Sequence, residues 1–173
     1  MNALPKQQKN AFQLTDIPEV LMDSPTDPRS YTDTPLVGVG IVVVRDDRVL
    51  LIQRGKPPRK GQWSIPGGMQ KLGETVRDAA LREALEETGL SVEIKGLLDV
   101  VDLIDTDDEG RTCRHYTLVD FWGVAPSGEP CAGDDAMDAR WFTRPEVDAL
   151  PLWGKTRDII ALAFSRAAGT KEP

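Results

Sequence analysis

The stretch from Gly68 to Leu90, GMQKLGETVRDAALREALEETGL, constrains this chain more than any other. It places Glu83, Glu86 and Glu87 at i, i+3 and i+4, so on a helix their carboxylates share an arc of roughly 100°. Like charges at that spacing repel and weaken a helix. A sequence that gathers three of them on one face needs a compensating cation. Carboxylate oxygens are hard ligands and suit Mg2+ or Mn2+ rather than zinc. Standing alone, an EALEE run is more often a solvated helix face than a metal site.

The run does not stand alone. Gly67 and Gly68 follow Pro66, Glu74 lies beyond them, Arg82 immediately precedes Glu83, and Gly89-Leu90 closes the segment. Gly68, Glu74, Arg82, Glu83, Glu86, Glu87 and Gly89 occupy every fixed position of the Nudix box, with Ala84 and Leu90 at its apolar positions. By these residues the chain resembles the Nudix hydrolases. Local signals agree with a loop–helix–loop. Thr75 with Asp78 resembles a capping box, and Gly89 suits a helix terminator. Leu81, Ala84 and Leu85 read as the core face, and Ala79 and Ala80 as a thin surface near the metal. Gly67-Gly68 lets backbone approach an ion closely, so a carbonyl there is a candidate ligand.

The 173 residues suffice for one domain with a real core. A net charge of −7 argues against nucleic-acid or anionic-membrane binding, which need basic patches. A polyphosphate substrate then requires local positive charge, which a divalent metal supplies. There is no apolar run of transmembrane length and no signal-peptide pattern, so a cytoplasmic protein is expected. Cys113 and Cys131 lack metal-ligand spacing and read as free, buried thiols. His115 is the single histidine, which excludes His-based zinc chemistry, and no nucleophile elbow is present.

Along the chain, residues 1–35 are polar and carry Pro5, Pro18, Pro25, Pro28 and Pro35. They read as a disordered arm or a strap across a partner subunit. Residues 36–168 read as the catalytic domain and 169–173 as a tail. Leu36–Arg45 and Arg48–Gln53 form a hairpin signal around Asp46-Asp47. A basic, proline-rich loop follows at residues 54–66. Val92–Ile104 and Thr112–Phe121 pair around DTDDEGR, a loop covers Gly123–Gly133, and Ala139–Thr143 is a short strand. Glu146–Leu150 starts a short helix after Pro145. Thr156–Ala168 is an amphipathic helix turning Ile159, Ile160, Ala163 and Phe164 inward. The order of elements fits an α+β fold. The resemblance makes it an α/β/α sandwich around a mixed sheet.

The resemblance also assigns roles. Glu83, Glu86 and Glu87 bind Mg2+ or Mn2+ with the Gly68 carbonyl, and Arg82 orients the box by pairing with a glutamate such as Glu74. The general base is a box glutamate or an acid of a later loop, where Asp134 and Asp135 stand. Those two serve as extra ligand or base, or are turn acids. Beyond the box, GVGIVVVRDDRVLLIQRGKPPRKGQWSIPGG, RHYTLVDFWG and AGDDAMDARWF are similar to the bacterial ADP-ribose pyrophosphatase-like subgroup. The chain departs from one subgroup pattern, a proline downstream of the box, where it has Asp105, Thr106 and Asp107.

The substrate this implies is ADP-ribose, cleaved to AMP and ribose 5-phosphate. Arg54, Arg59 and Lys60 are candidates for the phosphates by charge. Arg114 and Tyr116 are candidates for ribose or base. Trp63 is either a stacking platform or a packing wedge, and Arg59 and Lys60 are alternatively solvated loop charges. Two other functions stay open, a nucleoside triphosphate pyrophosphatase that removes unusual nucleotides and a ligand-sensing Nudix-like module. The retained glutamates and acidic charge speak against the sensor. Homodimers are common in the family, so a homodimer is a further expectation.

Overall fold

Strand β1 (Leu36–Arg45) alternates in a way that decides what each face of the sheet can hold. Val39, Ile41 and Val43 point to one side and are buried with Ala79, Ala80 and Ala84 of helix α1 (Val76–Thr88). Val42 and Val44 point to the other side and are buried under Ile159, Ile160, Ala163 and Phe164 of helix α3 (Gly154–Gly169). On that second side the two preceding positions are Gly38 and Gly40, which leave it bare. The period of two thus builds a core at one end of β1 and a hollow at the other. In this computed structural model, residues 28–57, 59–133 and 135–169 are described.

Strands β2 (Arg48–Arg54), β3 (Trp63–Ser64), β4 (Gly67–Met69), β5 (Glu93–Thr106), β6 (Thr112–Val124) and β7 (Ala136–Thr143) complete a seven-stranded sheet. Its main path runs β3-β2-β1-β6-β5, with β4 joined to β1 and β7 to β2. The β1–β6 pairing is parallel, from Leu36↔Tyr116 to Val44↔Val124, and the others are antiparallel. β1 pairs with β2 at Val44↔Val49 and Arg45↔Arg48, while β4 pairs with its other end at Gly38↔Met69 to Gly40↔Gly67. Helix α2 (Arg144–Ala149) follows β7, with Pro145 in its first turn. No described helix is long and apolar enough to cross a membrane.

The hairpin, the long β5–β6 pair and α3 lie close to where the sequence puts them, and the four inward residues of α3 are all buried. Each fully buried aliphatic side chain contributes about 1.5–3 kcal/mol. Other expectations need correction. Leu85 is 52% exposed, and the buried face of α1 is the small one, Ala79, Ala80 and Ala84. Ala84 is buried as expected, while Ala79 and Ala80 form core and not a thin surface over a metal. Their size lets the helix axis lie close on Val39, Ile41 and Val43. Cys113 and Cys131 are free as expected, but Cys131 is exposed and Cys113 half-buried. The loop of residues 54–66 contains β3, and α3 extends through Gly169.

Most of the N-terminal arm, residues 1–27, lies outside the described residues. The described part folds back on the tip of the β5–β6 pair. The Tyr31 N–H donates to the Cys113 carbonyl at 2.8 Å and its hydroxyl to Asp107 at 3.1 Å.

Candidate active site

Helix α1 is delimited by its own side chains. The Asp78 N–H donates to the Thr75 hydroxyl at 3.1 Å, and that hydroxyl donates to the Asp78 carboxylate at 2.6 Å. An N-cap of this kind is worth about 1 kcal/mol. Gly89 adopts φ 69° and donates its N–H to Leu85 at 2.8 Å. Cys131 and Gly133 then donate their N–H groups to the Thr88 and Glu87 carbonyls at 2.9 and 3.2 Å. These bonds satisfy carbonyls that the helix end leaves open, and they draw the later loop up to the acidic face.

On that face Arg82 is the hub. Its Nε donates to Glu74 Oε1 at 2.7 Å and its Nη2 to Glu74 Oε2 at 3.0 Å, a two-pronged contact. Its Nη1 reaches Glu83 at 2.7 Å and Glu86 at 2.9 Å, and Nη2 also meets the Met69 carbonyl at 3.1 Å. The expected pairing with Glu74 is present, and Arg82 gathers two further glutamates as well. The Arg82 contact, with the Lys71 N–H, holds the Glu74 carboxyl down at about 2. The three partners raise the Arg82 guanidinium further above its ordinary range.

Glu87 is different. It is 6% exposed, and its Oε2 accepts from the Gly67 N–H at 2.9 Å. Burial pushes its carboxyl up to about 7, and Glu83 adds to the rise while Gly67 and Arg54 oppose it. A Cβ at Gly68 would collide with the Glu83 carboxylate, so the glycine lets that carboxylate lie against the strand. Among the described residues no three acidic, histidine or cysteine side chains enclose an ion as they stand. Glu83 and Glu86 are turned onto Arg82, and Glu87 onto Gly67. The donor set is nonetheless all oxygen, three carboxylates beside a glycine backbone, with a buried anion whose cost a cation would relieve. It fits Mg2+ or Mn2+.

The hollow left by Gly38 and Gly40 is a cavity of about 270 Å3 on the α3 side of the sheet. Gly67 and Gly68 border it, so one strand separates the cavity from the acidic face. Arg54, Arg59, Arg114 and Tyr116 also border it. Arg59 takes a left-handed φ of 65° and lies 5.0 Å over the Trp153 ring, and burial lowers its pKa. Arg114 pairs with Asp105 at 3.5 Å. Lys60 is exposed and absent from the cavity wall, which agrees with its alternative reading as a solvated loop charge. Trp63 packs edge-on to Phe142 at 4.7 Å against the α3 core, as in its packing reading, and also borders the cavity. Asp135 pairs with Lys56 and adds slightly to the rise of Glu87, and its carbonyl accepts from the Gly55 N–H at 2.6 Å. Asp134 lies outside the described residues.

Sequence reasoning missed Arg29, Asp120 and Trp153, all of which border the cavity. For Asp120 a signal existed. Arg114, Tyr116, Leu118 and Asp120 alternate on one strand, so placing the first two in a site places the others too. For Arg29 and Trp153, which lie outside the strands, no local pattern announces the contact.

The model of the NUDIX domain matches residues 34–163. The chain is similar to an ADP-ribose pyrophosphatase of Methanocaldococcus jannaschii, 41% identical over 108 residues, which is 62% of each chain. It is also similar to an 8-oxo-dGDP phosphatase of Homo sapiens, 36% identical over 128 residues, 73% of this chain and 36% of that one. The chain therefore spans less than two thirds of either relative. The crystal structure of a MutT NUDIX hydrolase from Burkholderia pseudomallei matches with a TM-score of 0.64 at 36% identity, covering 75% of this chain and 98% of that one. The mixed sheet between helices is thus the sandwich expected from the sequence. A strand, loop and capped helix that together carry every fixed box residue, within a match over most of the chain, have one consequence: the chain belongs to the NUDIX domain family.

Proposed function

We propose that this protein is a divalent-metal-dependent hydrolase of a phosphoanhydride bond in nucleoside diphosphate-linked compounds, with ADP-ribose cleaved to AMP and ribose 5-phosphate. The observation that carries the reading is the shared strand. Gly67 and Gly68 border a cavity of nucleotide scale on one side and meet the Glu87 and Glu83 carboxylates on the other. A diphosphate crossing that strand would present its oxygens to the acidic face and its organic end to the cavity. The relative named ADP-ribose pyrophosphatase supports this substrate.

Glu83, Glu86, Glu87 and the Gly68 carbonyl would hold Mg2+ or Mn2+. When bound, the ion supplies charge neutralisation and a water of lowered pKa. The chain's own residues do the rest. Arg82 sets the positions of Glu83 and Glu86 while Glu74 fixes Arg82. Arg54 and Arg59 bring positive charge to the cavity mouth for the phosphates. The general base is a box glutamate such as Glu87, or Asp135 of the later loop.

A second reading, hydrolysis of damaged nucleoside di- or triphosphates, is favoured by the relative named 8-oxo-dGDP phosphatase. Product analysis by mass spectrometry separates the two. The protein is incubated with Mg2+ and ADP-ribose, NADH, a dinucleoside polyphosphate, and ordinary and oxidised nucleoside di- and triphosphates. AMP and ribose 5-phosphate are expected. A nucleoside monophosphate from an oxidised nucleotide, with ADP-ribose untouched, overturns the first reading in favour of the second. No turnover of any compound overturns both.

A further inference from the structure

Asp120 lies beside Gly40 in the parallel β1–β6 register and borders the cavity while only 7% exposed. A carboxylate so far removed from water normally takes a cation or several N–H donors. Among the described residues Asp120 has no such donor. Lys155, a cation that acts on it, places its ammonium on Asp99 at 3.0 Å. Asp99 is the register partner of Asp120 and adds negative charge. The space is kept open for this carboxylate. A Cβ at Gly40 would run into Asp120 Oδ1 and stand 2.7 Å from Ile65 Cδ1.

A polar group without a partner also stands on the same cavity. The indole N–H of Trp153 makes no hydrogen bond, and Arg59 covers the ring. Trp63, Tyr116, Leu103 and Leu118 supply flat or apolar wall. Such a wall suits a planar ring with a few polar atoms. A phosphate is repelled from the Asp120 end, whereas the arginines favour it at the mouth.

Building on the reading of this cavity as the nucleotide's site, we propose that Asp120 is a specificity-determining residue that accepts a hydrogen bond from the exocyclic amino group of the substrate's nucleobase. An ionised carboxylate only accepts, so it needs a donor. Adenine and guanine each carry an amino group that hypoxanthine lacks. In place of the adenine amino group, hypoxanthine turns a carbonyl oxygen toward Asp120, and two acceptors then face one another. A carboxylate that meets the cavity without a protein donor is left to be satisfied by the ligand, and a ligand lacking the donor is rejected for that reason.

The test is steady-state kinetics with two matched pairs, ADP-ribose against inosine diphosphate ribose and GDP against IDP, together with calorimetric binding of AMP, GMP and IMP. The amino-bearing member of one pair is expected to be favoured about 10- to 100-fold in kcat/KM, mainly through KM. Asp120→Asn is expected to collapse that preference: loss of the carboxylate weakens the hold on the amino base, and in the first pair the amide also donates to the hypoxanthine oxygen. A preference in the first pair assigns adenine as the source of the amino group, and one in the second assigns guanine. Equal handling of both members of both pairs by the wild-type protein overturns the proposal. So does an equal loss on both members from Asp120→Asn. If nothing is turned over, the hydrolase reading fails, and equal binding of AMP, GMP and IMP then decides separately against Asp120.

Discussion

Replacing Asp120 by Asn should make the protein more stable at alkaline pH relative to acid pH, while weakening its grip on substrate. Burial, and then Asp99, push the Asp120 carboxyl from the ordinary 3.8 up to about 6, with Lys155 opposing. That rise corresponds to about 3 kcal/mol against the ionised native state. The native carboxyl holds its proton more tightly than the unfolded chain does. Native stability therefore falls as pH rises from about 4 to about 6, and the cost vanishes below that window. Between pH 4.5 and pH 8 the change integrates to about 2 kcal/mol. Asn carries no charge at any pH. Any constant cost of burying its amide cancels when the two pH values are compared. Urea unfolding followed by tryptophan fluorescence, for both proteins at both pH values, measures this double difference. The variant should gain about 2 kcal/mol relative to wild type on going from pH 4.5 to pH 8. Parallel pH profiles would refute the reasoning, because they would mean that Asp120 is solvated or paired in the folded protein. A buried acid that costs stability and serves no packing role is what a binding function would maintain.

Glu87→Gln should lower turnover by about 100-fold or more without unfolding the protein, since one ligand and the candidate base are lost together. Near-normal activity would remove the metal-site assignment, and a chelator should silence the wild-type protein to a similar degree. Arg82→Lys keeps the charge but cannot form the two-pronged contact to Glu74, so thermal unfolding should show a lowered midpoint. On α1, Ala80→Leu should cost about 1–3 kcal/mol by overpacking against the sheet, whereas Leu85→Ala should stay within about 0.5 kcal/mol. Denaturant midpoints of the two would show whether the small face is the buried one.

The acidic helix was legible because its signals are local. Thr75, Gly89 and the i, i+3, i+4 spacing act within one helix, and Arg82 with Glu74 acts within the same short segment. The strands of the hairpin and the long β5–β6 pair were legible for the same reason, through alternation and turn residues. Which face of α1 packs was legible only at Ala84. Leu81 and Leu85 advertise hydrophobicity, but the sheet comes too close for large side chains, and the alanines win the contact. The sequence alone thus determined the family, the box and the helix that carries it.

The cavity is a different kind of object. Its bare stretch comes from Gly38 and Gly40 on β1, and its wall includes Asp120 from β6 and Trp153 from ahead of α3. Each is unremarked in its own neighbourhood of the chain. Parallel pairing brings Gly40 to Asp120 across most of a domain's length, and only that pairing turns a missing side chain into room for a carboxylate. Burial, which gives Asp120 its unusual proton affinity, belongs to no residue alone. It exists once distant segments have excluded water from the space between them.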